Sequence, residues 1–222
     1  FGTSNQLGKG DDDDGEKLEY CFYFIGFYAE WFAVINFEFV RMLVGNSVLD
    51  FYLNIFFSLG VAKAVEKLTG AEIRVKWPND IYYKNKKLGG ILIENTLSGS
   101  TLSSSICGLG LNINQQKFPD DIPNPVSLKD ISGKSFDIDE VKNVICNEVE
   151  AMYLMLRSAR KEQLLERYYK SMYLFETPAP FTDKSGHFTG IIKGIDPAGR
   201  LVVARESGEE AVYDLKEVAF RR

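Results

Sequence analysis

Residues 76–94 read Lys-Trp-Pro-Asn-Asp-Ile-Tyr-Tyr-Lys-Asn-Lys-Lys-Leu-Gly-Gly-Ile-Leu-Ile-Glu, and this stretch decides the fold of the chain. A turn with a charged residue, a basic tip and a glycine pair lie between two apolar segments. A second glycine motif, Gly-Leu-Gly-Leu-Asn-Ile-Asn, occupies residues 108–114. The pattern predicts a β-hairpin with strands at Ile81–Tyr83 and Ile91–Asn95, followed by a strand at Leu102–Leu109.

The Lys-Trp-Pro-Asn-Asp segment predicts a strand end and a sharp turn. Pro78 fixes its own φ angle and favours an extended conformation at Trp77. Asn79 and Asp80 favour a turn because their side chains can bond nearby backbone groups. A strand end with such a turn would explain the segment without any ligand, and a lone tryptophan here is more often a core residue.

Lys87 is the lysine of the hairpin that we select as a candidate for chemistry. A lysine at the mouth of a strand can offer a charge to a phosphate or carboxylate, and the following glycines let backbone approach a ligand closely. Lys84 and Lys86 are expected to be solvated. Lys87 differs from them because residues 88–90 lead directly into an apolar strand.

The second motif places small residues near the end of a strand. The amide of Asn112, two residues after Gly110, could contact a base edge or a ribose. A glycine alternation of this kind alone usually marks a bulge. Dinucleotide binding is not indicated, because the third glycine and the following helix of that fingerprint are absent.

Other segments predict a fold with both helices and strands. Strands are plausible within residues 22–44. Apolar residues recur at helical spacing from Phe51 to Leu68, and alternation at 73–77 indicates a half-buried strand. Residues 115–126 are expected to be irregular. Two helices are predicted at Ile138–Arg157 and Lys161–Leu174, the first with Asp137 as N-cap. The predicted C-terminal strands are Phe188–Gly194, Leu201–Arg205, Ala211–Asp214 and Val218–Arg221.

The composition excludes several classes of function. The net charge of −5 over 222 residues gives no global basic field for nucleic acid or an anionic membrane. The apolar run within residues 21–44 is too interrupted for a membrane span. Cys21, Cys107 and Cys146 are scattered and His187 is the single histidine, so no zinc site is indicated. Reduced thiols in the cytoplasm are expected. The chain begins at Phe1 and is expected to be a fragment.

The chain resembles the biotin protein ligase family in three motifs and in their order and spacing. The motifs are Lys-Trp-Pro-Asn-Asp, then Lys-Leu-Gly-Gly-Ile-Leu-Ile-Glu, then Gly-Leu-Gly-Leu-Asn-Ile-Asn. The resemblance runs from about Phe51 to Arg222. It implies an α/β (α+β) fold, with a mixed-sheet catalytic domain of the biotin/lipoate ligase type at residues 1–176. A Thr-Pro-Ala-Pro boundary at 177–180 precedes a small C-terminal SH3-like β-barrel at residues 181–222.

The resemblance also implies an activity with ATP, Mg²⁺ and biotin. Biotin and ATP would give biotinyl-adenylate, which a lysine of a biotin carboxyl carrier domain of a carboxylase then attacks. Catalytic roles are implied for Lys87 and Asp80, with Mg²⁺ near Asp80. Biotin contacts are implied for Thr3, Ser4, Asn5, Lys87, Gly90 and Gly108, and nucleotide contacts for Lys76, Asn79 and Asn112. A homodimer is compatible with this interpretation.

The first residues depart from the family pattern. Thr3-Ser4-Asn5 resembles the family's early Ser-Thr-Asn step, and residues 5–10 resemble a short form of its glycine-arginine loop, but the two segments overlap. Asp11–Asp14 stand where the family carries arginines, and such an acidic run is usually a solvated loop. No helix-turn-helix is expected before the catalytic segment in this chain, so its sequence does not indicate a DNA-binding repressor role. A lipoate or octanoate transferase-like enzyme and a non-catalytic biotin-binding module remain alternatives.

Overall fold

In a computed structural model of the chain, the described residues are 6–11, 17–24, 32–40, 47–98, 101–120, 122–158 and 160–221. The strands are β1 Gln6–Asp11, β2 Lys17–Phe24, β3 Phe32–Val40, β4 Arg74–Lys76, β5 Asp80–Tyr83, β6 Lys86–Ser98, β7 Thr101–Asn112, β8 Pro178–Asp183, β9 Gly186–Ile195, β10 Leu201–Arg205, β11 Glu210–Tyr213 and β12 Ala219–Phe220. The helices are α1 Ser47–Thr69, α2 Leu128–Ser132, α3 Ile138–Arg157 and α4 Lys161–Ser171.

The larger sheet has seven strands in the order β1-β2-β3-β7-β6-β5-β4. Its described strand pairs are all antiparallel, so the predicted mixed sheet is corrected to an antiparallel one. The physical reason is the connectivity: connections of only two or three residues join β4 to β5, β5 to β6 and β6 to β7, and such short connections produce antiparallel neighbours. The fold is α+β, as expected.

One face of this sheet is covered by helices. Ile81, Ile91, Leu109 and Leu111 are buried there, and α1 contacts β4, β5 and β6. Helix α1 packs in turn against α3. At their contact, a Cβ atom on Gly60 would lie 2.6 Å from the Cα atom of Val149, so the close approach of the two helices requires glycine.

The predicted helices are confirmed, with differences in length. Helix α1 begins at Ser47, before the predicted start at Phe51. Helix α3 has the predicted bounds, and the Asp137 side chain accepts the Glu140 N–H at 2.9 Å as its N-cap. Helix α4 ends at Ser171 instead of Leu174, because Met172 is extended and forms a parallel bridge with Val75 at the edge of the sheet. This tertiary pairing cannot be read from local spacing.

Helix α2 and strand β1 were not predicted. The short helix α2 follows the irregular segment 115–126 and begins with a capping box between Ser127 and Asp130. Residues 6–11 form strand β1, with Asp11 opposite Lys17, so the predicted loop at 5–10 is largely a strand. Residues 12–16, which hold most of the acidic run, lie outside the described residues.

The smaller sheet has five antiparallel strands in the order β11-β10-β9-β8-β12. It begins at Pro178, inside the predicted boundary segment, because residues 178–183 pair with β9. The buried core runs through both sheets, and Phe175 bridges to Ile192 between them. The division into two domains remains a prediction. None of the described helices is long and apolar enough to cross a membrane.

Candidate ligand-binding face

A row of four residues crosses the larger sheet on the side away from the helices. Lys76, Asp80, Gly90 and Gly110 are successive register partners on β4, β5, β6 and β7. Directly opposed residues of neighbouring strands point to the same side of a sheet. The alternate positions of these strands hold the buried side chains of the core, so this row lies on the opposite face, called here the open face.

Lys87 and Asp80 form an ion pair on the open face. The Lys87 Nζ atom lies 2.5 Å from the Asp80 Oδ1 atom, and their side chains are 38% and 21% exposed. The register shifts at Leu88, so Tyr82 opposes Lys87 while Asp80 opposes Gly90. This bulge brings Lys87 and Gly90 to the same side of β6. The structure therefore brings together the lysine, the carboxylate and the glycine that the sequence singled out.

Gly90 leaves room beside this ion pair. A Cβ atom there would lie 3.3 Å from the Asp80 Oδ1 atom and 3.6 Å from the Lys87 Nζ atom. The neighbouring Gly89 has a different role, since its Cβ would lie 2.4 Å from the carbonyl oxygen of Gly110. Gly89 is thus required by strand packing, while Gly90 keeps open the space next to the charged pair.

Glycines and exposed apolar side chains form the floor of the open face. Gly108 opposes Leu92 in the register, and Gly110 opposes Gly90. Leu92 is 62% exposed and Ile106 is 40% exposed. Leu92 and Ile106 were not selected from the sequence, although their two-residue spacing from Gly90 and Gly108 is a signal that could have found them. These residues form a strip of glycines and apolar side chains, called here the trough, with the Lys87–Asp80 pair at one end and Glu94, the register partner of Ile106, at the other.

Asn79 is fixed to strand β6. Its side-chain Nδ2 atom donates to the Ile91 carbonyl at 2.6 Å, and its own carbonyl accepts the Ile91 N–H at 2.8 Å. The sequence predicted that the Asn79 side chain would bond backbone within the turn, but it bonds the backbone of strand β6 instead. In this arrangement Asn79 positions Asp80, which is the next residue.

Asn112 is joined to the segment that holds the backbone of Lys87. The Asn112 Nδ2 atom donates to the Val126 carbonyl at 3.1 Å. The Val126 N–H donates to the Lys87 carbonyl at 3.0 Å, and the Lys87 N–H donates to the Asn124 carbonyl at 2.8 Å. The irregular segment before α2 therefore supports the lysine, a role that the sequence did not indicate.

Lys76 lies at a second recess, beside the smaller sheet. Its Nζ atom is 3.3 Å from the Tyr82 hydroxyl, 4.9 Å from the centre of the Tyr82 ring and 4.8 Å from the centre of the Phe220 ring. A cavity of about 330 Å³ opens here, and Arg221 also lines it. The recess combines aromatic surface with two cationic side chains.

The remaining selected residues lie elsewhere. Thr3, Ser4 and Asn5 are outside the described residues. Trp77 is buried, as expected for a core residue, and its Nε1 atom donates to the Gly199 carbonyl at 3.0 Å. Lys84 and Lys86 are exposed, as expected.

Cys107 and Cys146 do not provide a nucleophile. Burial raises the pKa of Cys107 to about 12 and that of Cys146 to about 11, so both thiols stay protonated near neutral pH. Among the residues that the structure describes, no group of three or more histidine, cysteine or acidic side chains could hold a metal ion.

Two family profiles match this chain over the segments that build the open face and the smaller sheet. The profile described as "Biotin/lipoate A/B protein ligase family" matches residues 31–112, and "Biotin protein ligase C terminal domain" matches residues 181–214. The chain belongs to the biotin protein ligase family. The first match covers strands β3 to β7, which include Asp80, Lys87 and the three glycines of the open face.

Individual members of the biotin protein ligase family are similar over most of the chain. It is 30% identical over 166 residues to the bifunctional ligase/repressor BirA of Bacillus spizizenii, a match that covers 72% of this chain and 50% of that protein. It is 27% identical over 181 residues to the biotin–[acetyl-CoA-carboxylase] ligase of Mycobacterium tuberculosis, covering 77% and 65%. The chain spans about half the length of the first curated relatives it matches.

Solved structures of the family have the same fold. A biotin protein ligase from Aquifex aeolicus in complex with biotin and ATP matches with a TM-score of 0.66 and 25% identity. That match covers 85% of this chain and 78% of the Aquifex chain.

Proposed function

We propose that this chain activates biotin with ATP as biotinyl-adenylate and transfers the biotinyl group to a lysine of a biotin carboxyl carrier domain. The observation that carries the proposal is the Lys87–Asp80 pair at the end of the glycine and apolar trough. The similarity to ligases of this name, and to a structure that holds biotin and ATP, supports it.

The trough suits biotin because it is apolar along its floor and has the Lys87 ammonium group, paired with Asp80, at its end. Gly90, Gly108 and Gly110 allow a ligand to approach the backbone of β6 and β7. The ring system would lie over this floor, and the biotin carboxylate would reach the Lys87 ammonium group. The Asp80 carboxylate already pairs with that ammonium group, so the biotin carboxylate would share it with Asp80.

The recess at Lys76 suits the nucleotide. Lys76 opposes Asp80 in the register, so it lies on the same face as the proposed reaction site. Its ammonium group and the Arg221 guanidinium would pair with phosphates, while the rings of Tyr82 and Phe220 offer flat apolar surface. In this arrangement Asn79 and Asn112 support the site through their hydrogen bonds, and nucleotide contacts from them remain predictions.

Adenylation requires two anions to meet. The carboxylate oxygen of biotin attacks the α-phosphorus of ATP, a new C–O–P linkage forms, and pyrophosphate leaves. The carrier lysine then attacks the acyl carbon and AMP leaves. Lys87 and Lys76 would offset the negative charge that develops during the first step. No enzyme nucleophile takes part in this scheme, which agrees with the protonated state of Cys107 and Cys146.

Mg²⁺ fits this site as a companion of ATP. Mg²⁺ is commonly held by one or two carboxylates together with substrate phosphates. Asp80 supplies one carboxylate on the open face, and it would share the ion with the phosphates of ATP. An SH3-like barrel for the C-terminal sheet, a homodimer and a cytoplasmic location are further predictions of the sequence that belong to this proposal.

Transfer to a carrier domain tests the proposal. The chain is incubated with biotin, ATP, Mg²⁺ and a purified biotin carboxyl carrier domain, and mass spectrometry follows the carrier. We expect one biotinyl group per carrier, on its acceptor lysine, and no modification without ATP. A carrier that stays unmodified while biotin binds would indicate a non-catalytic binding module, and modification with lipoate but not biotin would indicate the other branch of the wider family.

A further inference from the structure

The turn that carries Asp80 is tied to the smaller sheet. The Trp77 Nε1–H group donates to the Gly199 carbonyl at 3.0 Å, and Trp77 is only 5% exposed. Trp77 precedes Asp80 by three residues. A buried donor that loses its acceptor is costly, so this bond restrains where the turn can lie.

The acceptor end of this bond is held firmly. The Asp196 Oδ1 atom accepts the N–H groups of Ala198 and Arg200, each at 2.9 Å, and the Oδ2 atom accepts the Arg200 Nε–H at 2.8 Å. The hydrogen bond from the Arg200 side chain is the main reason that the pKa of Asp196 lies below its usual range. Gly199 has a φ angle of 84°, and a Cβ there would lie 2.7 Å from the Phe51 ring. The direction of the Gly199 carbonyl is therefore fixed.

The other end of the turn is held by β6. Asn79 makes two hydrogen bonds to Ile91, and Asp80 follows it directly. Two anchors thus precede Asp80 in the chain: the first is Asn79, on the strand that forms the trough, and the second is Trp77, on the smaller sheet. Removal of the second anchor would let the turn shift while the trough itself stays in place.

We propose that the segment Asp196–Arg200, called here the positioning turn, acts through Trp77 to hold the Lys87–Asp80 pair in its reactive position. The inference rests on the proposed function, because adenylation is its readout. The smaller sheet then contributes to the first half-reaction through the position of Asp80, in addition to Phe220 and Arg221 at the nucleotide recess. Trp77 and Asp196 are positioning residues that do not touch substrate.

The variant Trp77→Phe tests this role, since it keeps an aromatic ring and removes the N–H donor. We expect kcat for biotin-dependent pyrophosphate release to fall about tenfold, because displacements of reacting groups by about 1 Å can cost up to about 10²-fold. The KM for biotin should stay within about twofold, since the trough lies on β6 and β7. The matched control is Tyr213→Phe, which removes a hydroxyl that donates to Asp183 in the same smaller sheet.

A second pair of variants keeps the test independent of Trp77. Asp196→Ala removes both carboxylate oxygens that accept hydrogen bonds in the positioning turn. Asp196→Asn retains one side-chain oxygen that can accept the two backbone N–H groups. We expect Asp196→Ala to lower kcat as Trp77→Phe does, and Asp196→Asn to restore most of it. These two variants test the role of the positioning turn even if Trp77→Phe does not fold.

Three results would overturn the inference. One is an unchanged kcat in Trp77→Phe. Another is an equal loss of kcat in Tyr213→Phe at equal melting temperature. The third is an absence of change, in nuclear magnetic resonance spectra of Trp77→Phe, at the amide signals of Asp80 and Lys87. The spectra need no turnover, so they separate this inference from the proposed function, which fails if the wild-type chain releases no pyrophosphate with biotin.

Discussion

Replacement of Lys87 by alanine should abolish most adenylation and leave the fold intact. The Lys87 Nζ atom lies 2.5 Å from the Asp80 Oδ1 atom, at the point where the biotin carboxylate and the α-phosphate would meet. Partly exposed ion pairs contribute about 0–1 kcal/mol to stability. For a chain of this size that corresponds to a shift in melting temperature of about 4 °C or less.

The effect on rate should be much larger than the effect on stability. Loss of a preorganised electrostatic contact to a developing charge typically raises the barrier by about 2.7–4 kcal/mol, or about 10²–10³ in rate. The Lys87 side chain is 38% exposed, and solvent weakens its field, so we expect the lower end, about 10². In the variant, the Asp80 carboxylate would lie beside the biotin carboxylate and the α-phosphate without the Lys87 cation. The repulsion among these anions would lower the rate further.

The assay is biotin-dependent pyrophosphate release at saturating ATP, with Lys84→Ala as the control. Lys84 is exposed at the tip of the same hairpin, where its Nζ atom lies 5.2 Å from the centre of the Tyr83 ring. We expect the control to retain wild-type activity. A Lys87→Ala variant that works within about twofold of the wild-type rate would refute the argument, since it would mean that no negative charge develops near this lysine.

Three further predictions concern the glycine pair Gly89–Gly90, removal of the smaller sheet, and the carboxylate of Asp183. Gly90→Val should keep a cooperative melting transition but weaken biotin binding by more than about tenfold. Gly89→Ala should lower the melting temperature, because its Cβ would meet the backbone of Gly110. Equal biotin affinities of Gly90→Val and the wild type in isothermal titration would contradict the role given to Gly90. A chain that ends at Glu176 should lose cooperative unfolding in circular dichroism, because the core runs through both sheets; a truncated chain that melts like the full one would show that the sheets are independent. Hydrogen bonds, chiefly from Ser185, lower the pKa of Asp183 to about 2, so its stabilising effect is complete above the ordinary pKa and is lost as the pH falls from about 4 toward 2. Asp183→Asn should therefore lose less melting temperature than the wild type between pH 5 and pH 3, and parallel curves would contradict the assignment.

The sequence predicts the elements of this fold where the signal is local. The helix at Ile138–Arg157 has a regular apolar spacing and an N-cap, and its predicted bounds agree with the structure. The predicted end of α4 was wrong because Met172 pairs with Val75, almost one hundred residues earlier in the chain, and this pairing ends the helix at Ser171. The antiparallel arrangement of the large sheet also depends on pairings at long range, such as β3 with β7.

The site shows the same division. Lys87, Asp80 and Gly90 could be chosen from one hairpin, and the structure brings all three together. The support from Asn124 and Val126 could not be predicted, because backbone groups of an irregular segment carry no signal in residue type. The bond from Trp77 to Gly199 was missed for a similar reason, since its acceptor is a carbonyl group of a distant turn.

Exchange of labelled pyrophosphate into ATP tests the central claim most directly, because it reports the reversible formation of the adenylate without any carrier domain. The wild-type chain is incubated with ATP, Mg²⁺ and pyrophosphate, with biotin, with lipoate or with neither. We predict exchange with biotin alone, and a rate about 10² lower in Lys87→Ala. Exchange that is absent with biotin, or equally fast with lipoate, would contradict the conclusion that the open face of this chain activates biotin.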